Sequence, residues 1–344
     1  MKTKFTLAAA ALGLAAFAFD ASARVKLNMP STFPGSLVQL GQAGVRLQDT
    51  LNTISGGDIR VKFFEPGALV PALEIYDAVS NGSADAGWSV PGYWAGKNSA
   101  YSIYAAIPFG PSAGEYLGWM WFGGGQDMMN ELYNKDGIHS LVCGIIAPEA
   151  SGWFREEITS VDDLKGLKMR FFGLGARVMQ KLGVDTQLLA GGDIFPALER
   201  GTIDATEFSM PAIDKNLGFY NIAKHYYFPG WHQQSTIQEL LLNKAKWDGM
   251  TDAQRAMIDT ACKANVAYQF AEGEAIQGAA LAEMQAAGVT IHTWPQEILD
   301  TYRSAWDDVV AEEVGSNPDF KKAWDSLTAF RAEYAAWKEL GYLK

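Results

Sequence analysis

Cysteine and histidine are scarce in this chain, and that removes much chemistry at the outset. Two cysteines, Cys143 and Cys262, cannot form a disulfide framework. Cys143 lies in the strand-like run Ser140-Leu141-Val142-Cys143-Gly144-Ile145-Ile146, so the leading expectation is two separate buried thiols acting as small hydrophobes. An oxidising compartment leaves a single bridge open. Of the four histidines, His139, His225, His232 and His292, no two share the spacing of metal ligands on a helix. A Gly-x-Ser-x-Gly nucleophile elbow is absent, since Gly87-Trp88-Ser89-Val90-Pro91-Gly92 is one residue too long. There is no phosphate-cradling loop either. Gly123-Gly124-Gly125 lacks the Lys-Ser or Lys-Thr that would follow, and reads as a flexible turn.

Positive charge is also short. Lys and Arg number 28 against 39 Asp and Glu, a net charge of -11, which argues against nucleic acid or anionic membrane surfaces as partners. It does not argue against a small anion, because one arginine in a cleft outweighs distant, screened surface charge. Beyond the N-terminus no run is apolar and long enough for a transmembrane helix.

The N-terminus itself has the form of an export signal. Lys2 and Lys4 form a charged region, Phe5 to Phe19 an apolar one, and Ala21-Ser22-Ala23 a small-residue cleavage site. No lipobox cysteine follows. The expected mature chain starts near Arg24 and is soluble in the periplasm. About 320 residues then remain, enough for two domains with sizeable cores. Hydrophobic residues at 48% and charged residues at 19% fit a globular protein.

The periodicities predict an α/β fold. Arg24–Asn28 reads as a strand, Val38–Ile54 as a helix and Asp58–Phe64 as an alternating strand. A helical face with Leu73, Ile75, Tyr76 and Val79 then leads into Asn81-Gly82-Ser83-Ala84-Asp85-Ala86-Gly87. This β-α-β-α-β order favours an open parallel sheet covered by helices. Further on, Lys168–Phe172 reads as a strand, and two helices lead into Arg200-Gly201-Thr202-Ile203-Asp204-Ala205. The shared Gly-x-x-Asp-Ala turn, with glycine as the helix cap and Asp bonding the turn backbone, suggests two α/β lobes of like construction. The first lobe is expected over 24–147 with a segment after about 240, and the second over 148–240. Residues 250–344 read as mainly helical. Two lobes with several crossings place a ligand in the cleft at the carboxyl ends of the strands. Near the end, Phe320, Trp324, Leu327, Phe330, Tyr334, Trp337 and Leu340 form an aromatic stripe along one helix. It suits packing on the protein's own lobes or a homodimer contact.

What remains for function is a set of binding groups. Arg170 closes a strand-like run, where its planar fork can grip a carboxylate. Glu207 ends the next such run, and Glu239 sits before Leu240-Leu241-Leu242, where an unpaired charge would be costly. If Glu207 and Glu239 converge near Arg170, an anionic ligand is repelled unless a cation lies between them. Such hard oxygens suit Na+, Ca2+ or Mg2+.

The segments Asp163-Leu164-Lys165-Gly166-Leu167-Lys168-Met169-Arg170, Gly191-Gly192-Asp193-Ile194-Phe195-Pro196-Ala197-Leu198-Glu199, Gly201-Thr202-Ile203-Asp204-Ala205-Thr206-Glu207 and Leu217-Gly218-Phe219-Tyr220 resemble the solute-binding proteins of tripartite ATP-independent periplasmic (TRAP) transporters. The likeness extends over almost the whole mature chain and is strongest to the branch binding 2-oxo acids and lactate. It implies a clamshell of two α/β domains, a long connecting helix and a helical C-terminus. It implies too that Arg170 pairs with the substrate carboxylate, that a cation (Na+ or Ca2+) joins protein to ligand, and that membrane-embedded permease subunits receive it. The positions matching the cation ligands are Glu207, the backbone carbonyl of Phe208, and Glu239. Tyr93 and Trp94 fall where that branch places pocket aromatics. Some members dimerise through C-terminal helices. Two departures stand out: Phe208 replaces a usual tryptophan, and no amide occurs in Pro148-Glu149-Ala150-Ser151, where the branch has one. Either Glu149 takes its place as a ligand, or the cation is lost.

The leading expectation is thus a non-enzymatic periplasmic receptor that closes on a small organic acid and delivers it to a permease. An exported ligand sensor is an alternative. A hydrolase or lyase with Glu207 as base and Arg170 as anion anchor is a further one, set back by the missing nucleophile.

Overall fold

The computed structural model describes residues 24–343; the expected signal peptide, 1–23, lies outside them. The first lobe comprises β1 (Val25–Pro30), α1 (Leu40–Ile54), β2 (Ile59–Phe64), α2 (Ile75–Ser80), β3 (Ala86–Ser89), α3 (Ala113–Phe122), α4 (Gly125–Tyr133) and β4 (Ile138–Ile146). The chain then crosses to a second lobe. This holds β5 (Gly152–Phe154), β6 (Lys168–Arg170), α5 (Gly173–Lys181), β7 (Asp185–Gln187), α6 (Gly191–Glu199), β8 (Ala205–Thr206), α7 (Pro211–Leu217) and β9 (His225–Phe228). It returns with β10 (Thr236–Asn243), followed by α8 (Lys244–Asp248), α9 (Asp252–Ala286), β11 (Thr290–Thr293), α10 (Gln296–Ser316) and α11 (Pro318–Gly341).

Neither sheet is purely parallel, contrary to the expectation. In the first lobe β1 and β2 pair in parallel, a bridge from Ser31 to Trp88 ties them to β3, and β10 runs antiparallel between β3 and β4. The second sheet has the order β11-β9-β5-β8-β6-β7, with β5 antiparallel to both neighbours. β5 and β10 are the first strands formed after the chain changes lobes. They enter their sheets by a route other than the β-α-β crossover, which alone enforces parallel pairing. β10 starts at Thr236 and lies between β3 and β4. β11 adds a strand to the second sheet where only helix was foreseen, its four residues being too short to show a period between two long helices.

The repeated turn has a physical role in both lobes. Gly82 and Gly201 adopt φ of 80° and 71°, the left-handed conformation that ends each helix. The aspartate that follows reaches past its own turn to the neighbouring strand: Asp85 accepts from the Asn28 amide at 2.9 Å and Asp204 from the Lys168 amide at 3.1 Å.

The 35-residue α9 spans both lobes, about 52 Å at 1.5 Å per residue. Thr251 and Gln254 cap it reciprocally. Its first half is fixed to the first lobe by buried amides, Asn265 donating to the Ala43 and Cys143 carbonyls and Gln269 to that of Gln39. Its second half meets α7 of the second lobe, where Gln277 accepts from the Ala212 amide and Glu283 pairs with Lys215. A disulfide from Cys143 on β4 to Cys262 on α9 replaces the two separate thiols expected from the sequence. At a sequence separation of 119, nothing local in the sequence announced the pairing.

The C-terminal stripe is buried along its first half and exposed toward its end. Phe320 and Leu327 are buried, and Trp324 and Phe330 pack on the core, whereas Trp337, Leu340, Tyr342 and Leu343 are exposed.

Replacing both cysteines by alanine opens a 119-residue loop. Urea unfolding should show a loss of about 2–5 kcal/mol, and an unchanged midpoint would show that the bridge contributes nothing.

Candidate carboxylate-binding site

β6 and β8 pair in parallel with Arg170 opposite Thr206, which brings Arg170 and Glu207 together at the carboxyl ends of their strands. Arg170 Nη1 donates to the Glu207 carbonyl at 2.8 Å and to Glu207 Oε2 at 2.9 Å, while Nε donates to the Leu189 carbonyl at 3.2 Å. The Phe208 ring lies 5.1 Å from the guanidinium, within cation–π range. Both charges are buried, at 1% and 0% exposure. A pair this deep is a poor stability device, but losing one partner strands the other charge. So Arg170 is pinned by the protein before any ligand arrives.

Two carboxylates are presented in the same way, one oxygen tied and the other bare. Glu207 Oε2 accepts from Arg170 and from the Phe172 amide at 2.9 Å, while Oε1 has no hydrogen-bond partner among the described residues. Glu149, on the crossing from β4 to β5, takes the Ser209 hydroxyl at 3.3 Å and the Thr236 hydroxyl at 3.1 Å on Oε1, and its Oε2 is bare. Burial, then the nearby charges of Glu207 and Asp214, push the Glu149 carboxyl well above the usual carboxylate range. On the second crossing, Gln233 donates to Thr236 Oγ1 at 2.7 Å and keeps its own Oε1 free. His232 Nε2 lies 3.5 Å from Glu207 Oε1 and 3.9 Å from Glu149 Oε2. One donor atom each from Glu149, Glu207 and His232 falls within a 4.8 Å circle. Bare, buried oxygens on two acids and an amide suit a hard cation.

A cavity of about 20 Å³ adjoins these groups. Its first-lobe wall is apolar, made by Phe33, Leu40, Val90 and Ile146, and its polar side holds Glu149, Arg170, Ser209, Gln233 and Thr236. The lobes meet around it. Tyr93 packs edge-on against Phe172 with ring centroids 5.0 Å apart, and a Cβ on Gly92 would run into the same phenylalanine. Burial pushes the Tyr93 hydroxyl up to about 12, and Arg170 opposes that shift.

Of the residues singled out in the sequence, Arg170, Glu207, Phe208, Glu149 and Tyr93 come together here. Glu239 and Trp94 do not. Glu239 lies in β10 with Trp94 Nε1 and Tyr133 OH on Oε1, each at 2.9 Å, and Ser140 Oγ on Oε2 at 2.7 Å. Both oxygens are used, so Glu239 is a core acceptor of the first lobe and not the second carboxylate of the site; Trp94 is its donor and not a pocket wall. His232, Gln233, Ser209, Thr236 and Phe172 were not foreseen. The polar pair His232-Gln233 closing an aromatic run was the available signal. Asp214 was missed too. It accepts from Trp153, Tyr226 and the Ser209 amide, and burial pushes its carboxyl up to about 7.

Burial raises the Glu239 carboxyl to about 7 against the pull of its three donors. The folded chain therefore holds this proton more tightly than the unfolded chain, and the contribution present at acid pH is lost as pH rises from about 4 to about 7. In Glu239→Gln this slope, up to about 1 kcal/mol per pH unit, should vanish from the pH profile of urea-unfolding free energy. Parallel profiles for the two proteins would contradict the assignment.

Comparison with known proteins gives a consistent result. Residues 31–316 match the family described as bacterial extracellular solute-binding protein, family 7. A monocarboxylate 2-oxoacid-binding periplasmic protein of Nostoc sp. is 32% identical over 93% of this chain and 87% of its own length. A TRAP transporter solute-binding protein from Bordetella bronchiseptica superposes with a TM-score of 0.90 at 34% identity, over 92% of this chain and 94% of that one. Its structure is a mixed-occupancy dimer with copurified calcium and picolinate in one site and an apo site. One from Pseudoalteromonas atlantica, with bound sodium and pyruvate, gives 0.88 at 29% identity over 92% and 96%. With this match over most of its length, the chain belongs to the family 7 extracellular solute-binding proteins, the receptors of TRAP transporters and not enzymes.

Proposed function

We propose that this receptor binds a small 2-oxo monocarboxylate together with a cation, in the cavity between its lobes. The observation that carries the reading is Arg170, buried and pinned by Glu207 and Leu189, facing a small cavity whose opposite wall is apolar. The guanidinium orients the ligand carboxylate. The wall of Phe33, Leu40, Val90 and Ile146 provides no partner for a second carboxylate or a sugar hydroxyl, and it accepts a short apolar substituent. Glu149, Glu207 and the Gln233 side-chain oxygen would hold the cation. When bound, it offsets the repulsion between these acids and the ligand and draws the ligand's oxygens to the protein.

Ligand contacts drawn from both lobes favour the closed form over the open one. Gly92 against Phe172 is a close approach between the lobes, with no room for a Cβ. Export by cleavage of the N-terminal signal and delivery to a membrane permease complete the reading. The exposed Trp337, Leu340 and Tyr342 on and after α11 form the seam we assign to a homodimer.

Two predictions follow from the site. Calorimetry with pyruvate should show Arg170→Lys weakened by about 1–3 kcal/mol, because lysine keeps the charge but cannot also hold the Leu189 and Glu207 carbonyls; equal affinities would remove Arg170 from the site. Gly92→Val should also lose affinity, by blocking closure, with a melting temperature of the ligand-free protein close to wild type. Full affinity in that variant would show that Gly92 does not govern closure.

A further inference from the structure

We infer that Glu149 sets the valence of the cation: this site selects a divalent ion of the calcium class over sodium. The inference rests on the reading of the site as a cation-assisted carboxylate receptor. It adds which cation, and which residue decides.

Glu149, Glu207 and Arg170 are exposed by 3%, 0% and 1%, so solvent screens none of them. A cation takes its carboxylate ligands deprotonated, so the loaded site would hold two carboxylates against one guanidinium, one net negative charge, and a monocarboxylate ligand makes it two. A divalent ion brings the cluster to neutrality. A monovalent ion leaves a negative charge buried, which at low effective dielectric is the costlier arrangement.

The geometry of the bare atoms points to the same class of ion. Each presented oxygen is fixed through the other end of its own group. Glu149 Oε1 is bound by Ser209 and Thr236, leaving Oε2 bare. Glu207 Oε2 is bound by Arg170 and Phe172, leaving Oε1 bare. The Gln233 amide nitrogen is bound to Thr236, leaving Oε1 bare. Three preset, dehydrated hard oxygens suit calcium, which accepts flexible all-oxygen coordination. Magnesium sheds its water reluctantly and demands a near-ideal octahedron, which oxygens already fixed by their own hydrogen bonds cannot adjust to supply. His232 offers a nitrogen 3.5 Å from Glu207 Oε1, so zinc is the competitor to include.

The test uses the full-length mature protein stripped of metal, with the ions alone as probes. Calcium, magnesium, zinc and sodium chlorides are titrated by calorimetry and by thermal shift into wild type, Glu149→Gln and Glu149→Asp, with choline chloride holding ionic strength constant. Wild type should bind calcium at least ~100-fold more tightly than sodium. Glu149→Gln should lose most of that ratio through weaker calcium binding, and Glu149→Asp, which keeps the charge, should retain it. Circular dichroism of each variant checks that it is folded. If wild type responds to no cation, the cation-assisted reading itself falls. If it binds sodium as well as calcium, or prefers zinc, or if Glu149→Gln keeps the calcium preference, the cation-assisted reading stands and the assignment of valence to Glu149 is overturned.

Discussion

A guanidinium and two carboxylates shut away from water set the terms for everything else in this molecule. Arg170, Glu207 and Glu149 carry charges that water would solvate cheaply, yet the fold seals them at the junction of its two lobes. Such burial is tolerable only because each group is held by several partners: strand-end carbonyls for Arg170, an amide and the guanidinium for Glu207, two hydroxyls for Glu149. The bonds that make the cluster tolerable also aim its remaining atoms. The same bonds thus serve stability and recognition.

The scaffold supplies the strand ends and crossings that make this feasible. β6 and β8 run parallel and end together, so residues far apart in sequence reach the same point without a loop of their own. The crossings add Glu149 on one side and His232, Gln233 and Thr236 on the other, from segments that belong to neither β-α-β array. α9 is bonded to the first lobe along one half and to α7 along the other, tying the two together.

The strand-end residues were legible in the sequence because local rules mark them. A short run closed by Arg170, and a Gly-x-x-Asp-Ala turn before Glu207, announce strand ends whatever the rest of the chain does. Glu149 was legible only as a departure from a family pattern. Glu239 was misread for a physical reason. A carboxylate in an apolar strand demands partners, but those partners, Trp94, Tyr133 and Ser140, are 145, 106 and 99 residues away, and sequence alone could not tell three donors from a cation. The antiparallel β5 and β10 were illegible for the same reason: their strand partners lie in distant parts of the chain. His232 and Gln233 matter through where a crossing carries them, which no periodicity records.

The apolar face of the cavity has a consequence of its own. Phe33, Leu40, Val90 and Ile146 all belong to the first lobe, whereas Arg170, Glu207, Phe208 and Ser209 belong to the second. Opening the cleft about the crossings would therefore leave Arg170 and Glu207 on one jaw and the wall of Phe33, Leu40, Val90 and Ile146 on the other. A ligand meeting such an open form would face the two walls separately. The two jaws put different questions to it, the second asking what sign it carries and the first asking how large it is, and only a molecule that satisfies both lets the clamshell shut.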